Sequence, residues 1–336
     1  MGKGFLTAAV RAAVQHIVVI ARSIYRTSNK EFAMQCTYRR RGLTGLLATT
    51  LILGSALARA ADFQLPALNA PASAEHHPGK MVWADLVTPD LAAAEKFYGG
   101  LFGWTFQPVS AGDLNYAVVI LNGQPIGGIV EKTIPAGQQR QPAWLTFLAT
   151  SDVDAAKRIA VSHGAKVLAD IKSYPMRGRQ CVLADPEGAV FALLDSSSGD
   201  APDYLPATGD WIWSSLHAKD AGTEAAFYQN LFDYDVFDQS SDDGLEHLIL
   251  STDNYARASA NDLARGSARR HSHWLNFVRV DNAAEIAGKV TAMGGRILVP
   301  PRIDRHGGML AVFADPAGAP FGVMEWSESD TKAEPK

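Results

Sequence analysis

The sequence predicts an α+β protein built as two tandem domains, each made of two βαβββ modules. Three observations carry this. A strand–Asp–helix stretch, Val82-Trp83-Ala84-Asp85-Leu86-Val87-Thr88-Pro89-Asp90 followed by Leu91 to Trp104, returns as Ile212 to His217, Asp220, Phe227-Tyr228 and Leu231-Phe232. The shift between copies is a constant 130 positions: Trp83 to Trp213, Asp90 to Asp220, Phe97 to Phe227, Trp144 to Trp274, Gly164 to Gly294, Asp185 to Asp315. A spacing this constant marks an internal repeat with almost no length drift. Within each copy, the same order of strand-period and helix-period runs then occurs twice.

Taken in order, strand 82–88 alternates in polarity, and Asp90 is placed to cap a helix over 91–101. The spacing of Ala94, Phe97, Tyr98 and Leu101 gives that helix one apolar face. Strands follow near 103–108, 115–121 and 124–130, with an Asn122-Gly123 turn signal between the last two. After the Pro135–Pro142 loop the pattern restarts. It gives a strand at 144–149, a helix from Asp152 to His163 closed by Gly164, and strands near 165–170, 179–184 and 189–194. Asp185-Pro186-Glu187-Gly188 makes the last hairpin turn. The first domain is therefore 81–196. The stretch 197–210, rich in Ser, Pro and Gly, reads as a linker. The second domain, 211–326, has strands near 211–217, 233–238, 245–250, 273–279, 295–300, 309–314 and 319–326, and helices near 221–231 and 282–293. A charged tail, 327–336, closes the chain.

Residues 34–62 have the layout of a secretory signal: Tyr38-Arg39-Arg40-Arg41, an uncharged and largely apolar run from Leu43 to Leu57, then Ala58-Arg59-Ala60 before Ala61. The run is shorter than the ~20 residues that cross a bilayer as a helix. Cleavage is expected near Ala60-Ala61, with export to the periplasm or medium and no stable membrane span afterwards. Residues 1–60 thus form a targeting region, and Met34 fits the position of the true translation start. Residues 61–80, with Pro66, Pro71, Pro78 and Gly79, read as a flexible mature N-terminus.

At 336 residues and 47% hydrophobic, the chain can bury a large core. Residues 1–60 carry nine Lys or Arg and one acid, which leaves 22 basic against 34 acidic residues in the remainder. That acidic body argues against nucleic acid as a partner. Processing removes Cys36 and leaves Cys181 alone, so no disulfide forms within the mature chain.

The residues resemble the vicinal oxygen chelate superfamily, which includes glyoxalase I, bleomycin-resistance proteins and extradiol dioxygenases. The resemblance rests on the strand–Asp–helix with Phe97-Tyr98 and Leu101-Phe102-Gly103-Trp104, on Ser151-Asp152-Val153-Asp154-Ala155-Ala156, on Leu183 to Gly188, and on Val312 to Gly318. It covers roughly 83–326, and Trp83, Trp213, Trp144 and Trp274 match its tandem, antigen- or hydroxylase-like branch. The resemblance implies that paired βαβββ modules form a cupped mixed sheet with helices outside. It also implies a metal held at set strand positions facing the cup. Here those positions are Trp83, Leu145 and Ala192 in the first repeat and Trp213, Leu275 and Gly322 in the second. None of the six offers a side-chain donor for a divalent cation, so no cofactor is expected, and glyoxalase or dioxygenase chemistry loses its usual support.

Other residues on the expected inward parity can still carry function. Asp85 is a candidate general base or ligand-orienting group, and His217 a candidate acid–base partner. Trp83, Phe147, Trp213 and Phe277 are candidate apolar lining, and Arg279 is a candidate cation for an anionic ligand. His271 and His273, spaced His-x-His, could join His217 in a relocated metal site. His247 could join the same set. His306, beside Gly307-Gly308, could form a lid over the cup, but the parallel loop Pro175-Met176-Arg177-Gly178 favours a plain hairpin connection. The expectation is a metal-independent binder of a small organic molecule, monomer or homodimer. The alternative is a lyase, isomerase or dioxygenase with a relocated metal or an Asp85/His217 pair.

Overall fold

The computed structural model describes residues 64–111, 114–133, 142–242, 244–263, 271–303 and 308–326. The expected signal region and charged tail, with Met34, Cys36 and His306, lie outside the described residues. In the first domain, one module comprises β1 (Met81–Thr88), α1 (Leu91–Phe102), β2 (Thr105–Ala111), β3 (Leu114–Leu121) and β4 (Gln124–Glu131). The other comprises β5 (Ala143–Ala149), α2 (Val153–Ser162), β6 (Lys166–Tyr174), β7 (Gly178–Ala184) and β8 (Val190–Ser196). The second domain repeats this as β9 (Trp211–Ala218), α3 (Ala221–Phe232), β10 (Asp235–Asp238), β11 (His247–Thr252) and β12 (Tyr255–Asp262). It ends with β13 (His273–Val280), α4 (Ala283–Ala292), β14 (Arg296–Ile303), β15 (Met309–Ala314) and β16 (Pro320–Glu325).

Each helix starts by one device. Asp90, Asp152, Asp220 and Asn282 accept from the backbone N–H three residues on, at 2.9, 2.9, 2.7 and 2.9 Å, which satisfies one orphan donor and stabilises each helix by about 1 kcal/mol. Each domain is one eight-stranded mixed sheet, ordered β2-β3-β4-β1-β5-β8-β7-β6 and β10-β11-β12-β9-β13-β16-β15-β14. The two modules of a domain join antiparallel through β1 and β5, or β9 and β13.

The strand β12 was not expected from its own residues. Its sequence, Tyr-Ala-Arg-Ala-Ser-Ala-Asn-Asp, is poor in β-branched side chains. Tertiary context overrides the composition: Asp253 and Asn254 both take positive φ, 53° and 64°, a turn geometry that returns the chain directly onto β11.

The helices fill the space between the two sheets. Helix α1 lies against α4, and α2 against α3, so each helix layer is shared by one module from each domain. Ala84 and Leu86 of β1 join Phe97, Tyr98, Phe313 and Phe321 in one core, and Leu183, Phe191, Tyr228 and Trp274 belong to the other. The alternate residues of β1 and β9 turn away from this layer, each into the cup of its own domain.

Residues 64–80 are held, which corrects the expectation of a flexible N-terminus. Ser198 Oγ accepts from Leu68 N and Asn69 N at 3.0 and 3.1 Å, Ser73 Oγ donates to the Asp200 carbonyl, and His77 N donates to Asp200 Oδ2. Proline-rich composition signalled a coil, but coil backbone can still be satisfied against a partner strand of chain. The partner is the 197–210 connection, which is therefore a docking ledge for this strap.

Candidate ligand cup

Period-two alternation along β1 lays Trp83 and Asp85 on the face of the first sheet opposite the helices, the face called the cup. Trp83 is 1% exposed and Asp85 7%. Trp83 Nε1 donates to Asp85 Oδ1 at 2.8 Å, and Tyr116 Oη, from β3, donates to the same oxygen at 2.9 Å. Gly128 on β4, paired in register with Asp85, makes this possible: a Cβ there would collide with both Tyr116 Oη and Asp85 Oδ1. Burial raises the Asp85 carboxyl above its ordinary range, against the opposing pull of both hydrogen bonds and of Arg177. The Tyr116 phenol is driven up by burial and by the adjacent Asp85 charge.

Arg177, in the β6–β7 connection, is fully buried. Its guanidinium carbon sits 3.6 Å from the centre of the Trp83 ring, a cation–π stack. Its Nε donates to the Pro66 carbonyl of the strap at 2.7 Å. Burial lowers its pKa to about 10, with Tyr116, Asp85 and Tyr174 opposing, so it remains a cation at neutral pH. Phe147, Leu145, Ala192, Tyr174 and the strap residue Leu65 complete the apolar wall.

The expected inward residues Trp83, Asp85 and Phe147 therefore meet in one place. Sequence reasoning missed Tyr116, Arg177 and Leu65. The sequence around Arg177 signals only a hairpin connection, and that around Leu65 only coil. The parity of Tyr116 on β3 would have been the available signal.

The second cup differs at each of these points. Ser215 replaces Asp85 and Ser259 replaces Gly128. Their hydroxyls pair at 2.7 Å, and Trp213 Nε1 donates to Ser259 Oγ at 3.2 Å. Phe277 lies over Gly322, where a Cβ would strike its ring. Arg279 is held by backbone, its Nε and Nη1 donating to the Trp326 and Pro206 carbonyls at 3.0 and 2.6 Å.

His217 and His273 are register partners on β9 and β13, with rings stacked at 5.3 Å and 20°. His271 stays exposed and contributes its carbonyl to His273 Nδ1 at 2.9 Å. Across β11, β12, β9 and β13 the pairing sets His247, Asn261, His217 and His273 in one row. Among the described residues, no three His, Cys, Asp or Glu converge as a metal set. Asp85 and His217 belong to separate sheets, so the expected Asp/His pair is not formed.

The family metal positions also fall together. Phe147 is the register partner of both Trp83 and Ala192, and Leu145 pairs with Asp85. They juxtapose an indole, an isobutyl and a methyl group, which do not fit a divalent cation.

A family model described as "Glyoxalase-like domain" matches this chain twice, over residues 81–194 and 213–324. A protein of Mycobacterium tuberculosis named "Putative glyoxylase CFP32" is 30% identical over 266 residues, spanning 76% of this chain and 98% of that protein. The "Anthracycline biosynthesis protein DauV" of Streptomyces sp. (strain C5) is 29% identical over 265 residues, spanning 75% and 95%. Among solved structures, an extradiol ring-cleaving dioxygenase from B. fuscum superposes with a TM-score of 0.56 at 14% identity, covering 81% of this chain and 78% of that one. The Mn(II)-bound glyoxalase from Novosphingobium aromaticivorans gives 0.54 at 16% identity, covering 74% and 83%. At these identities the structural likeness speaks to fold alone.

Proposed function

The chain belongs to the glyoxalase-like family of the vicinal oxygen chelate superfamily, with the domain present twice, and on that basis we propose that its first cup binds a small organic molecule without a metal ion. The observation that carries this is the buried Trp83–Asp85–Tyr116 array with Arg177 stacked on the indole. Such a combination of aromatic wall and few convergent polar groups is the usual make-up of a small-molecule site. Asp85, its pKa raised by burial, is suited to orient a donor on the ligand or to exchange a proton with it. The test is a thermal-shift screen on chelator-treated protein, since a ligand of the native state raises apparent stability. A shift that survives chelation and disappears in Asp85→Ala supports the reading. A shift that appears only when metal is restored contradicts it.

A second reading, an enzyme with a relocated metal, rests on the stacked His217 and His273. Elemental analysis of untagged protein tests it: near one metal per chain, lost in His217→Ala/His273→Ala, would favour this reading. Export is part of the same proposal and rests on the layout of residues 34–62. Intact mass of the protein from the periplasmic fraction should place its first residue at Ala61, and a mass retaining residues 34–60 would refute that.

A further inference from the structure

Two groups in the first cup have hydrogen-bonding capacity that the described residues do not use. Arg177 is fully buried, yet among the described residues its Nη1 and Nη2 have no hydrogen-bond partner. Its Nε is taken by Pro66, and its face lies on Trp83. The unused part is the terminal edge of the guanidinium, whose two parallel donors match the two oxygens of a carboxylate. Asp85 Oδ1 accepts both Trp83 and Tyr116, while among the described residues no hydrogen bond reaches Oδ2. Asp85 and Arg177 do not pair with each other within the 4.0 Å that defines an ion pair. A buried charge left in this state is costly unless something completes it.

We infer that the first cup takes a small carboxylate that also carries a hydrogen-bond donor, its carboxylate on the Arg177 fork and its donor on Asp85 Oδ2. Hydroxy acids and amino acids both present that pair of groups. This assignment rests on the binding reading above and specifies its ligand class. It also confines the site to one per chain. The second repeat has Ser215 where Asp85 stands, and Gly307 at the position 130 residues after Arg177.

The test is calorimetric titration of the wild-type protein with matched sets: hydroxy acids, amino acids and unsubstituted carboxylates, each beside its methyl ester or amide. Hydrogen bonds to charged groups predict that the acid binds at least about 10-fold tighter than its ester. The hydroxy or amino substituent should add several-fold over the unsubstituted acid, and the tighter of the two series identifies the donor. Arg177→Met should abolish the acid-over-ester preference. Esters binding as well as acids would overturn the assignment. Because that comparison uses wild-type protein, it stands even if Arg177→Met fails to fold. Preferential binding of neutral compounds would sink the carboxylate alone, whereas no binding by any class would sink the binding reading with it.

Discussion

Tyr98 and Asp315 are joined across the two domains, the tyrosine hydroxyl donating to Asp315 Oδ2 at 3.2 Å. The same contact recurs 130 residues on, with Tyr228 donating to Asp185 Oδ2 at 3.0 Å. Trp144 and Trp274 donate in turn to the two tyrosine oxygens, at 3.0 and 2.9 Å. The other oxygen of each aspartate closes its own hairpin, accepting from Ala189 N in one repeat and from Gly318 N and Ala319 N in the other. One motif therefore shapes a turn and docks a domain. Tyr98→Phe and Tyr228→Phe should each destabilise the protein by about 1.5–3 kcal/mol, the range for hydrogen bonds to charged groups. With no shared partner, their effects should add in denaturant titrations.

The two interdomain contacts differ in their charge. Where the first repeat has Ala94, the second has Glu224, fully buried on α3. Burial and the facing carboxylates of Asp185 and Glu187 raise its pKa. The folded state thus keeps a proton that the unfolded chain loses near pH 4.5, and stability falls as pH rises above that point. The ceiling is about 1.4 kcal/mol per pH unit for one proton. Glu224→Gln, which keeps a donor without the ionisation, should match wild type at acidic pH and exceed it by about 1 kcal/mol or more at pH 8. Thermal melts across pH 4–8 measure this, and parallel curves would refute it.

Gly128 is required by the cup, not by backbone conformation. Gly128→Ala should force Tyr116 from Asp85 and cost about 1–3 kcal/mol, the usual price of overpacking. The near-ultraviolet circular dichroism from Trp83 should change with it. Ser259→Ala, at the matching site of the second cup, should leave the first cup's ligand binding intact.

Asp203 fixes the connection between domains. Its Oδ1 accepts Lys80 Nζ at 2.9 Å and Arg257 Nη1 at 2.6 Å, and the Arg257 side chain is only 3% exposed. Asp203→Ala leaves that guanidinium buried without its main counter-charge, and should cost about 3 kcal/mol. Hydrogen exchange should rise over 64–80 at the same time, because Lys80 loses its carboxylate partner and keeps only the Ala201 and Pro202 carbonyls.

Most of the architecture was legible in the sequence because its signals are local. The caps at Asp90, Asp152, Asp220 and Asn282 and the period-two strands each act over a few residues. The strand β12 was illegible because alanine and serine at 256–260 carry no strand signal of their own. The site was half legible. Parity alone located Trp83, Asp85 and Phe147 on one face, but Arg177 reaches Asp85's surroundings from a loop 92 positions away in the chain. Local pattern says nothing about such a meeting. Arg279 shows the converse: its charge is visible in the sequence, while the carbonyls of Pro206 and Trp326 that hold its guanidinium are not.

The proposed site on Trp83, Asp85 and Arg177 is single and needs no metal. Calorimetric titration of chelator-treated protein with a ligand from the thermal-shift screen tests it most directly. One site per chain is expected, unchanged by chelator, lost in Asp85→Ala and kept in Trp213→Phe. Binding that requires added metal, or that follows Trp213 instead of Asp85, would contradict it.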